Sequence, residues 1–321
     1  MSMSIALVTT LGAAALVLIA LVLFTANTAR RVEAALPAEG TFVDVDGARI
    51  HYLERGEGPR TLLMIHGLGG HARHFTYALV DRLAGEFHVV VLERPGSGYS
   101  LRMRGASAGP LAQARTVAAF IRKLGLKRPI LVGHSLGGAI ALATALEAPD
   151  AVGGLALIAP LTAIQDDIPK VFAGLKLKSR LVRMIIAWTI AAPIAILRRR
   201  ETLDAIFGPD TPPRDFATVG GGLLSLRPSA FVTASTDLMA IRDDLPGLVE
   251  RCGTLRVPVG ILYGTGDRVL DHRVHGEGIA ARIPRLRLQL VPGGHMLPLT
   301  APDCVAGFVR EIASSAISAP A

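Results

Sequence analysis

The sequence predicts an α/β fold, a mostly parallel sheet covered by helices on both faces, preceded by one membrane-spanning helix. Three observations carry this expectation. From residue 41 onward, short apolar runs rich in β-branched residues alternate with helix-length segments, a strand-like run ends in the glycine-rich turn Val132–Gly138, and the N-terminal segment is long and uncharged. A chain of 321 residues that is 50% hydrophobic is neither disordered nor fibrous, and it suits one enzyme-sized domain with appendages. Cys252 and Cys304 cannot build a disulfide framework, and without neighbouring histidine clusters they do not make a zinc site.

Residues Ile5 to Phe24 read IALVTTLGAAALVLIALVLF, without a charge. A helix of about 20 residues is roughly 30 Å long, the thickness of a bilayer's hydrocarbon core. A cleaved signal peptide has a basic n-region and a shorter apolar core, and MSMS supplies no basic residue, so residues 1–31 are expected to be a retained single-pass anchor. Arg30 and Arg31 then place the rest of the chain in the cytoplasm by the positive-inside rule. Residues 32–40, ending in AALPAEG, read as a linker.

Strands are expected at Thr41–Val45, Arg49–Leu53, Thr61–Ile65, His88–Leu92, Pro129–Gly133, Gly154–Ile158, Val257–Tyr263 and Leu286–Val291. Helices are expected from about His74, over Leu111–Leu124, after Ser135, and from about Pro302 to Ser314. The stretch 161–253 is too long for an ordinary connection and reads as an inserted helical lid, leaving residues 41–160 and 254–321 as the core.

The motif VGHSLGG places Gly133, Ser135 and Gly137 in the pattern G-x-S-x-G directly after the run PILV. Small flanking residues let a strand turn sharply into a helix and present the serine in a strained, exposed position, and the helix start directs N–H groups at developing negative charge. The bland reading is a glycine-rich turn without chemistry. MIHGLGGH, after the strand TLLMI, is a second glycine-rich turn whose amides could bind an oxyanion. A serine hydroxyl needs a base, and the base needs an orienting acid. ILYGTGDRVLD offers Asp267 at the end of a strand, with Asp271 as the competing carboxylate that reads better as a helix N-cap. LVPGGHMLPL offers His295 after the last strand. His66 reads as a structural loop histidine, His71 and His74 as loop or surface residues, and His272 and His275 as surface or helix residues.

Together these motifs resemble the α/β-hydrolase superfamily over residues 41–314. The resemblance implies an acyl-transfer site with Ser135 as nucleophile, His295 as base, Asp267 as its acid, and an oxyanion hole made by the backbone N–H groups of Leu68 and Leu136. LERPGSGYS is similar to the family's D-x-P-G-x-G-x-S loop, with Glu93 where Asp is usual, a change that bears on loop geometry. Relatives that open epoxides or carbon–halogen bonds carry Asp at the nucleophile position, which Ser135 argues against. No phosphate loop, metal-binding H-E-x-x-H helix or dinucleotide fingerprint occurs, so no cofactor or metal is expected.

From Gln165 to Arg200, Lys170, Lys176, Lys178, Arg180, Arg183, Arg198, Arg199 and Arg200 stand against Asp166 and Asp167, so 8 − 2 = +6 of the chain's +8 is local. The uncharged stretch Met184–Leu197, interrupted by Pro193, either lies at the headgroup boundary of an anionic membrane or packs on the core and lines an acyl pocket. No nucleic-acid recognition motif accompanies the charge. The expectation is a membrane-anchored serine hydrolase for a small-molecule or lipid ester. Its rivals are a cofactor-free perhydrolase or haloperoxidase-like enzyme, a C–C bond hydrolase with the same residues, and a non-catalytic protein of this fold that binds an apolar ligand.

Overall fold

The computed structural model describes residues 2–165 and 169–316; Asp166 and Asp167, counted in the charge above, lie outside them. Strands β1 (Thr41–Val45), β2 (Ala48–Arg55), β3 (Thr61–Ile65), β4 (His88–Leu92), β5 (Ile130–His134), β6 (Gly154–Ile158), β7 (Val259–Gly264) and β8 (Arg287–Val291) form one 8-stranded sheet in the order β1-β2-β4-β3-β5-β6-β7-β8. β2 runs antiparallel to β1 and β4, and every other pair is parallel. Asp46 and Gly47 join β1 to β2 with φ of 46° and 80°, the left-handed pair that a two-residue hairpin needs to match strand twist. β7 begins two residues later than its apolar run because Pro258 has no N–H to donate, although its carbonyl still accepts from the Leu155 amide at 2.9 Å.

The helices are α1 (Ser2–Ala35), α2 (Arg73–Thr76), α3 (Leu79–Leu83), α4 (Pro110–Lys123), α5 (Leu136–Glu147), α6 (Arg180–Trp188), α7 (Ala191–Leu197), α8 (Arg199–Phe207), α9 (Pro228–Arg251), α10 (Gly278–Ala280), α11 (Leu297–Thr300) and α12 (Pro302–Ser315). The strand side chains alternate between two cores. Leu63 and Ile65 join Phe120 of α4 and Ile140 of α5, whereas Leu62 and Met64 join Phe75 of α2 and Phe308 of α12. Truncating any of these three buried phenylalanines to alanine would cost about 3–5 kcal/mol. Cys252 and Cys304 are free thiols.

Helix α1 continues through residues 32–35, within the stretch read from sequence as a linker. The reason is tertiary. Val32 and Leu36 pack on Leu224, Glu33 pairs with Arg227 at 3.6 Å, and the Tyr99 hydroxyl donates to the Leu36 carbonyl. Two turns earlier, Thr25 Oγ1 donates to the Thr189 carbonyl at 3.2 Å, at the break between α6 and α7. Residues 6–20, by contrast, are all exposed and project from the body as an apolar rod. Between β6 and β7 lie α6 to α9. Helices α6 and α7 meet at a bend of 59°, with Pro193 in the first turn of α7, where its missing N–H costs nothing.

Candidate active site

Strand β5 passes into α5 through Ser135, which holds φ 54° and ψ −121°. A non-glycine residue there costs about 1–3 kcal/mol unless its surroundings impose it. They do: the Ser135 amide donates to Ile158 of β6 at 3.0 Å, and its carbonyl accepts from Gly138 at 2.9 Å and Leu161 at 3.0 Å. The flanking glycines are required by close approach. A Cβ on Gly133 would stand 2.7 Å from the Gly137 carbonyl oxygen, and one on Gly137 would collide with the Ile65 carbonyl oxygen.

His295 follows β8 and donates from Nδ1 to Asp267 Oδ2 at 2.7 Å; the two side chains are 7% and 0% exposed. Asp267 Oδ1 accepts from the amides of Val269 at 2.7 Å and Leu270 at 3.0 Å. Burial pushes this carboxyl up, but His295 and the two amides more than offset it and hold it below its ordinary value, as an anion. With Nδ1 committed to the carboxylate, the lone pair of His295 sits on Nε2, the tautomer a general base requires. Asp271 is exposed and accepts from the Arg273 amide at 2.9 Å, a local cap away from the imidazole.

The turn after β3 carries Leu68. Neither the Leu68 nor the Leu136 amide donates to a protein acceptor among the described residues, and Leu136, as the first residue of α5, has no intrahelical partner by geometry. His66 is fully buried, donates from Nδ1 to the Gly67 carbonyl at 2.9 Å and accepts at Nε2 from the Arg94 amide at 3.1 Å. Burial, and then the Arg94 cation, lower its pKa well below the ordinary value, so it is a neutral brace. Glu93 is long enough to serve several partners: it accepts from His51 Nδ1 at 2.9 Å, from the Ala72 amide at 3.1 Å and from the Tyr99 amide at 2.5 Å. The extra methylene thus fastens this loop to the Leu68 turn rather than disturbing it.

Ser135, Leu136, Leu68 and His295 all border one cavity of about 810 Å³, walled by apolar side chains of the 161–253 insertion such as Phe172, Ile206, Leu238 and Ile241. Three histidines are packed inward in a way the sequence reading did not anticipate. His71 and His74, read as loop or surface residues, stack with ring centroids 4.4 Å apart and line this cavity. Burial lowers the pKa of both, that of His74 to about 3. His275, read as a surface or helix residue, does lie in the helical segment Arg273–Glu277, but it is fully buried and accepts from the Thr162 amide at 3.2 Å while its Nε2 donates to Gln165 Oε1 at 3.2 Å. It thereby ties the start of the insertion to the Asp267 turn.

Further residues position the site without any local motif. His134 Nε2 donates to the His295 carbonyl at 3.0 Å, and Asp210, from the insertion, accepts from the Gly294 amide and from Thr300 Oγ1, both at 2.9 Å. Arg94 donates to the carbonyls of His66 at 3.0 Å and Gly67 at 2.9 Å and pairs with Asp237 of α9 at 2.6 Å. The neighbour of the serine in VGHSLGG and the Arg-Pro pair of LERPGSGYS were the available signals; the partners of Asp210 had none.

Fold and site together define a hydrolase-fold protein with a serine at its strand-to-helix elbow. Residues 62–307 match the model of the alpha/beta hydrolase family, and the chain belongs to that family. A dihydrolipoyllysine-residue acetyltransferase component of the acetoin cleaving system from Cupriavidus necator is 40% identical over 121 residues, 37% of this chain and about a third (32%) of that protein. An uncharacterized protein of Mycobacterium tuberculosis is 28% identical over 84% of this chain and 79% of its own length. A 2-hydroxy-6-oxononadienedioate/2-hydroxy-6-oxononatrienedioate hydrolase of Paraburkholderia phymatum is 34% identical over 42% of this chain and 48% of its own. Among solved structures, a bacterial membrane phospholipase A described as a virulence factor superposes with a TM-score of 0.71 at 25% identity, covering 98% of this chain and 99% of that one. A thermophilic esterase of Thermogutta terrifontis superposes with a TM-score of 0.69 at 22% identity over 87% of this chain and 99% of its own, which shows the shared fold.

Proposed function

We propose that this protein is a membrane-anchored serine hydrolase that cleaves a carboxylic ester of lipophilic character. The observation that carries the reading is Ser135, held in a strained conformation on the wall of an apolar cavity that it shares with the Asp267-bonded His295. Ser135 Oγ attacks the ester carbonyl as His295 Nε2 takes its proton. The tetrahedral oxyanion is held by the Leu68 and Leu136 amides, each donor of this kind being worth about 3 kcal/mol. The C–O bond then breaks, the leaving alcohol receives the proton from His295, and water activated by the same imidazole hydrolyses the acyl-serine to the carboxylic acid. Asp267 stays ionised and stabilises the imidazolium.

The apolar rod of α1 is read as the anchor, with Arg30 and Arg31 favouring a cytoplasmic body. The bend between α6 and α7 sits beside the end of that rod, through Thr25 and Thr189, and exposes Leu181, Ile185, Trp188 and Leu197. With basic residues flanking it, the bend suits the headgroup layer. The likeness to a membrane phospholipase A supports a lipid ester. The match to the Paraburkholderia phymatum hydrolase favours, as second reading, cleavage of a C–C bond by the same residues. Labelling with an active-site fluorophosphonate tests the core of the proposal. Ser135 is the expected site of attachment; a folded protein that resists labelling contradicts serine catalysis and favours the binding-protein reading.

A further inference from the structure

The cavity is apolar along its wall, yet its rim is charged with one sign. Among the described residues that border it, the charged side chains are Lys176, Lys178, Arg199 and Arg242, all basic and all exposed, and no described carboxylate borders it. Asp166 and Asp167 adjoin the rim residue Gln165 in sequence; with both counted, basic side chains still outnumber acidic ones. Lys176 and Lys178 follow the short turn 170–175, and Arg199 opens α8, so two separate pieces of chain bring cations to the same opening.

The rim also lies beside the anchor. The segment 222–226 contributes Leu223 and Leu226 to the cavity wall, and α7 contributes Ile196; both pieces pack against α1. A substrate entering here meets cations first and hydrocarbon behind them. That order matches a molecule with an anionic head and acyl tails, and it does not reward a neutral ester.

We infer that the substrate is a lipid ester with an anionic phosphate headgroup, held at the rim by Lys176, Lys178 and Arg199 while one acyl chain lies along the cavity wall. The inference rests on the ester-hydrolase reading. The reaction consumes water and gives a fatty acid and a lysolipid: the bond from acyl carbon to glycerol oxygen breaks, Ser135 carries the acyl group, and the glycerol oxygen takes the proton from His295. The phosphate is untouched and leaves with the lysolipid, so the rim cations bind and orient without entering the chemistry.

The test compares dihexanoyl phosphatidylglycerol with dihexanoyl phosphatidylcholine, both as monomers below their micellar concentrations, for the full chain in a neutral detergent. Monomeric substrate removes the general attraction of anionic bilayers for a basic protein. The expected result is a kcat/KM roughly 10-fold higher for the phosphatidylglycerol, carried mainly by KM, since two or three exposed charge contacts together amount to about that factor. In the triple variant Lys176→Ala, Lys178→Ala, Arg199→Ala the preference falls to near unity, and in Lys176→Arg, Lys178→Arg it returns. Fluorophosphonate labelling of Ser135 in the triple variant shows that it is folded. Equal kcat/KM for the two lipids in the parent protein overturns the inference, as does a preference that survives in the triple variant. Competitive inhibition by glycerol 3-phosphate without any headgroup preference assigns the rim to a soluble phosphate and also overturns it. Loss of labelling and of all nitrophenyl ester turnover in the parent protein is a separate result, which removes the hydrolase reading itself.

Discussion

Arg94 Nη1 lies 2.6 Å from Asp237 Oδ2, and neither side chain is exposed at all. The same guanidinium holds the carbonyls of His66 and Gly67, so one cation joins α9 of the insertion to the turn that carries the Leu68 amide. Covering segment and Leu68 turn are therefore mechanically one piece. Removing one partner of a buried pair costs about 3–5 kcal/mol, because the other charge is left uncompensated. Asp237→Ala is expected to lower the denaturant-unfolding free energy by that amount. Arg102 Nη2 pairs with the other oxygen of Asp237 at 2.5 Å, so the triple variant Arg94→Met, Arg102→Met, Asp237→Leu, which removes all three charges, should recover much of the stability while remaining impaired in turnover, since the Gly67 carbonyl loses its donor. An Asp237→Ala protein as stable as the parent would contradict this account.

Asp210 performs a similar task for His295, the proposed base. By accepting from the Gly294 amide and from Thr300 Oγ1 it fixes the backbone immediately before His295. Displacing a catalytic group by about 1 Å costs on the order of 100-fold in rate. Asp210→Ala should therefore reduce kcat for a nitrophenyl ester roughly 10- to 100-fold while KM changes little. A KM effect alone would place Asp210 in substrate binding instead.

Buried neutral histidines make the protein sensitive to acid. Burial, and next the proximity of His295, push His134 down to about 3 from its ordinary 6.5, and burial pushes His275 down to about 4. Between those values and 6.5 the unfolded chain binds protons that the folded one does not, so stability is complete above 6.5 and falls as pH drops toward 4. At pH 5 each group removes on the order of 2 kcal/mol. The depressed carboxyl of Asp267 acts in the same direction, but below its ordinary 3.8. Urea unfolding at pH 7.5, 6 and 5 should show a progressive loss, with a smaller loss for His275→Gln; a flat profile would contradict neutral burial.

Trp188, the single tryptophan, is 40% exposed at the end of α6. In proteoliposomes its emission is expected to be quenched by lipids brominated in the acyl chain and protected from aqueous iodide. The reverse pattern would remove the bend of α6 and α7 from the membrane surface.

What the sequence made legible was local. The central strand runs were visible because a parallel strand buried on both faces is continuously apolar; Ser135 and Asp267 could be singled out because each follows such a run in a short glycine-containing turn, and His295 because a turn of the same kind follows the alternating edge strand β8. The remaining support could not be read in this way. Arg94 and Asp237 are 143 residues apart, Asp210 and Gly294 84, and His275 and Thr162 113, and each pair is made only by tertiary packing. The covering of His71 and His74 was not legible for the same reason: a histidine in a glycine-rich turn looks solvated until Phe216 and the 216–222 segment are laid over it. The end of α1 was missed because its last turn is held by Leu224, Arg227 and Tyr99, none of them nearby in sequence.

The central claim is that Ser135 carries an acyl group. Its most direct measurement is hydrolysis of nitrophenyl esters from short to long acyl chains by the detergent-solubilised protein and its Ser135→Ala variant. The account predicts turnover by the parent protein, with an optimum at acyl chains long enough to reach the apolar wall, and loss of at least about 1000-fold in the variant. Turnover that persists in Ser135→Ala, or a folded parent protein inactive across the series, would contradict it.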